Sequence, residues 1–239
     1  LKGEGYLAVK LSTIGSFLGL IISIAIIPVL IYLASTYYDT IKTYIPFLLI
    51  LSLLFLIFRE KQKSKAILIT LLAGSLGVLV LNFPNLEEPL FPMLSGLFGT
   101  STLLVSLKDK VQIPFQTFTT KTNIDKIEVA KVMTASTLVC SVAGFIPGIA
   151  SSQSAILAST FFKKLKQEYF ILMVGSINTI IMVLSFGALY TIDKARNGAV
   201  IVVSKIIGTL STKYLILFLI ISLIVGGLAF ILSLKLGKQ

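Results

Sequence analysis

Apolar stretches of about 20 residues recur along this chain, and no other feature narrows its possible folds so strongly. A backbone in a bilayer core must satisfy its own N–H and C=O groups, so such stretches are helices or strands of a closed barrel. Barrel strands are short and alternate in polarity; these runs do neither. The chain reads as an all-α polytopic membrane protein. Its composition agrees: 56% of the 239 residues are hydrophobic, against about 45–50% in a soluble domain.

Several chemistries are then excluded. The chain has no histidine and one cysteine, Cys140. His-based metal sites, Ser-His-Asp triads and disulfides within the chain are ruled out. Cys140 reads as a small buried apolar residue. The net charge of +11 reads first as the cytoplasmic excess of Lys and Arg, and second as attraction for anionic lipid or anionic substrate. Nucleic acid is not an expected partner. No span centre carries Asp, Glu, Arg or Lys, which disfavours a carboxylate proton relay or a voltage sensor. This is compatible with sodium as a coupling ion, held by backbone carbonyls and hydroxyls. No other cofactor is expected.

Charge and length place about six spans, at residues 11–37, 44–58, 66–81, 90–107, 169–192 and 214–234. Pro28 is expected to kink the first. The loop "REKQKSK" and the flanking Lys108, Lys110, Lys235 and Lys238 read as inside, putting the C-terminus inside; "NFPNLEEP" reads as outside. Residues 199–211 are apolar but short and carry Lys205, which suits an interfacial helix from which the lysine can snorkel. The opening "LKGEGYLAVKLSTIG" has no cleavable leader pattern. It reads as a loop entering a helix, with further sequence expected before Leu1.

Residues 132–162 do not fit one crossing. As a straight helix they would span about 46 Å, against a core of about 30 Å. They contain "AGFIPGIASSQSA" and are flanked by Lys131 and Lys163–Lys166. Broken at Gly144–Gly148, they make two arms of about 20 Å each, entering and leaving from one basic side as a re-entrant hairpin. Irregular backbone at membrane depth is either buried in protein or lines a wet cavity, so the break is a packed kink or part of a pathway. For a pathway, the half-helix N-terminus with Ser151, Ser152, Gln153 and Ser154 would cradle an anion without a charged side chain. Gly144, Pro147 and Gly148 would open the backbone for it.

Two further polar sets stand out. "GSINTIIM" puts Ser176, Asn178 and Thr179 into an otherwise apolar span. Buried Asn needs a partner: a neighbouring helix, or a site shared with the hairpin, which is the favoured reading. Ser95, Gly96, Gly99 and Thr100 form the other set. Their spacing suits close helix packing more than a secondary site.

With these motifs in view, the chain resembles the C-terminal half of the large membrane subunit of the tripartite tricarboxylate transporters, the TctA-type permeases, in their stand-alone archaeal-type branch. The resemblance rests on "LFPMLSGLFGTSTLLVSL", "AGFIPGIASSQSAILAS", "GSINTIIMVLSFGALYTIDKARNGA" and the opening "LKGEGYLAVKLSTIGSFLG". It implies one half of an inverted-repeat transporter whose N-terminal half lies upstream. It also implies carboxylate uptake across the cytoplasmic membrane, with a small membrane subunit and an extracytoplasmic binding protein as partners. "Ile-Asn-Thr" is similar, more weakly, to motifs of dicarboxylate/sodium symporters.

The leading functional expectation is a secondary-transporter-type permease, working by alternating access on a small organic anion, a di- or tricarboxylate. The alternative is a translocase for polyprenyl phosphate or another anionic lipid carrier. That reading wants arginines at the site, yet Arg59 and Arg196 both fall in loops. An intramembrane enzyme lacks the usual acid–base partners, with only a Ser–Lys pair through Lys205 to draw on. A purely structural subunit is the bland reading. Membrane lipid and a second copy of the chain complete the expected partners.

Overall fold

The computed structural model describes residues 3–83, 92–93, 95–108, 115, 124–145, 149–193 and 197–237. Among the described residues there is no strand, and the chain is an all-α polytopic membrane protein. Four helices are long and apolar enough to cross a membrane: residues 5–38, 63–81, 167–192 and 212–236. The chain separates into two compact units, residues 1–46 with 115–239, and residues 47–114.

The first unit is built on α1 (Gly5–Lys42) and α7 (Gln167–Ile192), its most extensive helix pair. They run parallel, because Gly15 lies against Leu172, Gly19 against Ser176, and Ile27 against Gly187. Glycine is required at this crossing. A Cβ on Gly15 would strike the Leu172 carbonyl, and one on Gly175 the Ser12 carbonyl. The two backbones therefore touch, as small residues allow between membrane helices. The Ser16 hydroxyl donates across the seam to the Gly175 carbonyl at 3.1 Å. Pro28 lies inside α1.

Helix α9 (Thr212–Leu236) runs antiparallel to α1: Gly226 meets Leu20, Phe230 meets Phe17 with ring centroids 5.0 Å apart, and Gly237 meets Tyr6. Helix α5 (Lys126–Ala143) runs parallel to α7. The Asp125 N–H donates to the Tyr169 hydroxyl at 3.1 Å, Cys140 lies against the Ile177 carbonyl, and Gly144 packs on Leu184. Asp125 also caps α5 by accepting from the Ile127 N–H at 2.9 Å. The core is a continuous cluster including Val132, Met133, Ala158, Leu172, Met173 and Ile180.

One end of this bundle therefore holds the starts of α1, α5 and α7 and the close of α9. Lys10, Lys126, Lys131, Lys163, Lys164, Lys166 and Lys235 belong to it, against Glu4, Asp125, Glu128 and Glu168. Glu128 pairs with Lys131 at 2.7 Å and holds that ammonium above its ordinary pKa, by hydrogen bond and then by charge. At the other end α7 stops on Asp193, in the left-handed conformation at φ 50°. Helix α8 (Gly198–Ile207) follows, capped by Asn197 and closed by Gly208 at φ 73°. It is shorter than the 199–211 expected, and Lys205 on it is exposed.

The second unit carries most of α2 (Ile45–Arg59), α3 (Lys63–Leu81) and α4 (Ser101–Lys108), the last preceded by a π-helical turn at Ser95–Thr100. Two of the six expected span segments fall in this unit as short or irregular helix. The 44–58 segment is a 15-residue helix, about 22 Å long, short of a core of about 30 Å. The 90–107 segment is interrupted: its described part changes from π to α geometry at Ser101, just past Gly96 and Gly99. Such glycines weaken a regular helix.

Candidate functional site

The hairpin is visible as two arms. Helix α5 covers 18 residues, about 27 Å. Helix α6 (Ser151–Ser159) covers nine, about 14 Å, and packs on both α5 and α7. The first arm starts at Lys126, six residues before the expected 132, because Asp125 supplies a cap. The outer ends of both arms lie at the basic end: Asp125 beside Tyr169, and residues 160–166 leading directly into α7. Gly144 caps α5 in a helical conformation and cannot carry a side chain there, since a Cβ would lie 2.9 Å from Leu184. Pro147 and Gly148 lie outside the described residues.

The start of α6 is already partly served by its own side chains. The Gln153 amide oxygen accepts from the Ala150 N–H at 2.8 Å, and the Ser152 hydroxyl lies 3.4 Å from the same oxygen. This is the return half of a capping box. Ser154 turns inward, fully buried, and donates to the Ala150 carbonyl at 3.0 Å. The N–H groups of Ser151, Ser152 and Gln153 stay clear of the helix's own ladder. Of the four residues expected at the cradle, Ser152 is exposed, Ser151 and Gln153 are half-buried and Ser154 is buried.

The α7 set points three ways. Ser176 is fully buried against Gly19 and donates back to the Met173 carbonyl at 2.8 Å. Thr179 donates to the Gly175 carbonyl at 3.3 Å and faces a groove between α1, α7 and α9. Asn178 is exposed on the face turned away from α1, among Val174, Ile181 and Met182, with no hydrogen-bond partner among the described residues. Successive helical residues differ by about 100°, so one short motif serves three surfaces. Ser95, Gly96, Gly99 and Thr100 lie in the second unit, all exposed. A Cβ on either glycine would meet nothing within 4 Å among the described residues.

The structure adds residues that the sequence reading did not single out. Ser136 and Thr137 on α5 are 0% and 9% exposed, and neither hydroxyl has a hydrogen-bond partner among the described residues. Buried hydroxyls are ordinarily partnered. Their signal was "TASTLVCS", a run of small polar residues inside the first arm. Ser12, Thr13 and Ser16 of "KLSTIGS" line the groove that receives Thr179.

A family profile described as the tripartite tricarboxylate transporter TctA family matches residues 1–239. The chain belongs to the TctA family. It is also 30% identical over 249 residues to an uncharacterized protein of Methanocaldococcus jannaschii, an alignment that covers all of this chain and 59% of that protein. The chain thus spans about three-fifths of the curated relative that it matches. No solved structure matches. TctA membership is membership of a transporter family, which agrees with the multi-pass helical architecture. The polar residues of this TctA chain fall into a hairpin set, Gly144 with Ser151, Ser152 and Gln153; an exposed amide, Asn178; and a hydroxyl groove reached by Thr179.

Proposed function

We propose that the protein is a secondary-transporter-type permease for a small organic anion, a di- or tricarboxylate, working by alternating access. The observation that carries this reading is the TctA match over the whole chain. The hairpin geometry supports it. Both arms return to one end, so the start of α6 lies at the far, broken end of the hairpin, with Ser152 exposed and Ser151 and Gln153 half-buried. Its free N–H groups, with Ser152 and Gln153, offer donors to a carboxylate at no cost in buried charge. Asn178 contributes a further donor from α7. An amide exposed on a spanning helix is costly against lipid and favourable beside a polar path.

On this reading the basic end and the C-terminus face the cytoplasm, in the inner membrane. A small membrane subunit and an extracytoplasmic binding protein are its partners.

The test uses the protein expressed from its complete reading frame and purified in detergent. Thermal unfolding is followed by circular dichroism in sodium-free buffer with citrate, malate, an amino acid or a short-chain polyprenyl phosphate. A native-state ligand at a hundredfold excess over its dissociation constant stabilises by about 2.7 kcal/mol. The expected outcome is a shift with a carboxylate that Asn178→Ala and Ser152→Ala both abolish. A shift with polyprenyl phosphate alone would overturn the reading.

A further inference from the structure

At the end of the bundle where α7 stops on Asp193, two cavities adjoin. One, of about 510 Å³, is mostly polar. Ser35, Tyr38 and Lys42 line it from α1, and Tyr190, Thr191 and Asp193 from the close of α7. The other, of about 380 Å³, is almost wholly apolar. Leu30, Leu33 and Tyr37 wall it on one side, and Ser141, Val142 and Phe145, at and just past the end of α5, on the other. Ala34 and Tyr38 line both cavities. Ala34 contributes only a methyl group to the wall they share.

Depth separates the two. Helix α7 is mainly apolar up to Ile192 and turns charged at Asp193, and about 20 helical residues fill the hydrocarbon core. Asp193 thus falls at headgroup level, in the company of Tyr38 and Tyr190, as interfacial aromatics are placed. Ile31 of α1 lies beside Gly187 of the parallel α7. That register sets Leu30 and Leu33 one to two turns deeper, at acyl-chain level.

The polar cavity offers both signs of hydrogen bond. Ser35 and Thr191 donate to the Tyr32 and Gly187 carbonyls at 2.9 and 2.7 Å. Each hydroxyl has one proton, so toward the cavity these two oxygens present lone pairs only. Asp193 adds a carboxylate. All three are acceptors, fit for an ammonium. Lys42 is exposed, and the hydroxyls of Tyr38 and Thr209 make no hydrogen bond among the described residues. These three donate, and suit a phosphate. Lys42 and Asp193 line one cavity yet form no ion pair with each other. Both charges are left for a ligand.

We propose that this end of the bundle binds one membrane phospholipid with a zwitterionic, primary-amine headgroup. Its phosphate sits at Lys42 and Tyr38, its amine at Asp193, and one acyl chain fills the apolar groove beside Leu30 and Leu33. A soluble zwitterion would leave that groove uncovered. An anionic lipid would set a like charge against Asp193 without an amine to offset it. Nothing in this site depends on which anion the protein transports.

The test is native mass spectrometry of the complete protein in detergent. It is titrated with phosphatidylethanolamine, phosphatidylglycerol or phosphatidylcholine of equal chain length. Phosphatidylethanolamine is expected to bind tightest, since the quaternary amine of phosphatidylcholine has no N–H to donate. Asp193→Asn keeps the side-chain shape and tolerates the left-handed backbone. It should weaken phosphatidylethanolamine by about tenfold and should not weaken phosphatidylglycerol. Lys42→Gln should weaken all three lipids, as should Ala34→Leu, which fills the shared wall. Glycerophosphoethanolamine, which has no acyl chains, should not compete. Equal affinity for the three headgroups would overturn the proposal, as would tighter binding of phosphatidylglycerol. Phosphatidylethanolamine binding that survives unchanged in both Asp193→Asn and Lys42→Gln would also overturn it.

Discussion

Gly175→Ala is the sharpest probe of how this bundle is held together. The added methyl would collide with the Ser12 carbonyl and lie 2.9 Å from the Ser12 hydroxyl oxygen. Ordinary contact needs about 3.5 Å, so α1 and α7 must separate by roughly 1 Å. A gap of that size forfeits a quarter to a half of each dispersion contact, along the most extensive helix pair of the unit. Overpacking of this kind costs about 1–3 kcal/mol. The Ser16 hydrogen bond across the seam adds about 0.6 kcal/mol, the average for membrane helices. Alanine returns up to about 1 kcal/mol of helix propensity. The net expectation is a loss of about 2 kcal/mol, read by reversible unfolding in mixed detergent micelles. Gly77→Ala on α3 is the control, because its Cβ would meet nothing within 4 Å among the described residues. Equal stability of Gly175→Ala and Gly77→Ala would refute backbone contact as the organising feature of the pair.

Two further outcomes follow from single positions. Ser136→Ala removes a buried hydroxyl without a described partner, and such a group costs about 1–3 kcal/mol. The variant should therefore melt higher than the parent by thermal circular dichroism, and a lower melting temperature would mean that the hydroxyl is satisfied. Gly208→Ala forces a side chain onto φ 73°, at about 1–3 kcal/mol. Local protection of α8 should fall in hydrogen exchange while α7 is unchanged; unaltered exchange would show that the turn relaxes freely.

The polytopic helical class was legible because it rests on segment hydrophobicity and on the need to close backbone hydrogen bonds within each segment. The break after Gly144 was legible for a related reason. A mostly apolar run of 31 residues between two basic flanks exceeds the bilayer as one helix, and Gly with Pro marks where such a chain gives way. Inward-facing Ser154 and outward-facing Asn178 were not legible. Both sit in polar-looking motifs, but which face of a helix is covered depends on what packs against it.

Hydrophobic run length and flanking charge alone determined that this chain crosses a membrane as helices and that the 132–162 run is too long for a single crossing. Only the tertiary structure decided that α1 meets α7, residues some 160 apart in sequence. That pairing set Ser16 and Thr179 on a single carbonyl and left Asn178 uncovered. The physical reason is that hydrophobicity drives segments into the bilayer but does not choose partners there, since lipid is as apolar as leucine. The choice falls to close approach at Gly15, Gly19 and Gly175, a complementarity of surfaces that exists only once both helices are in place.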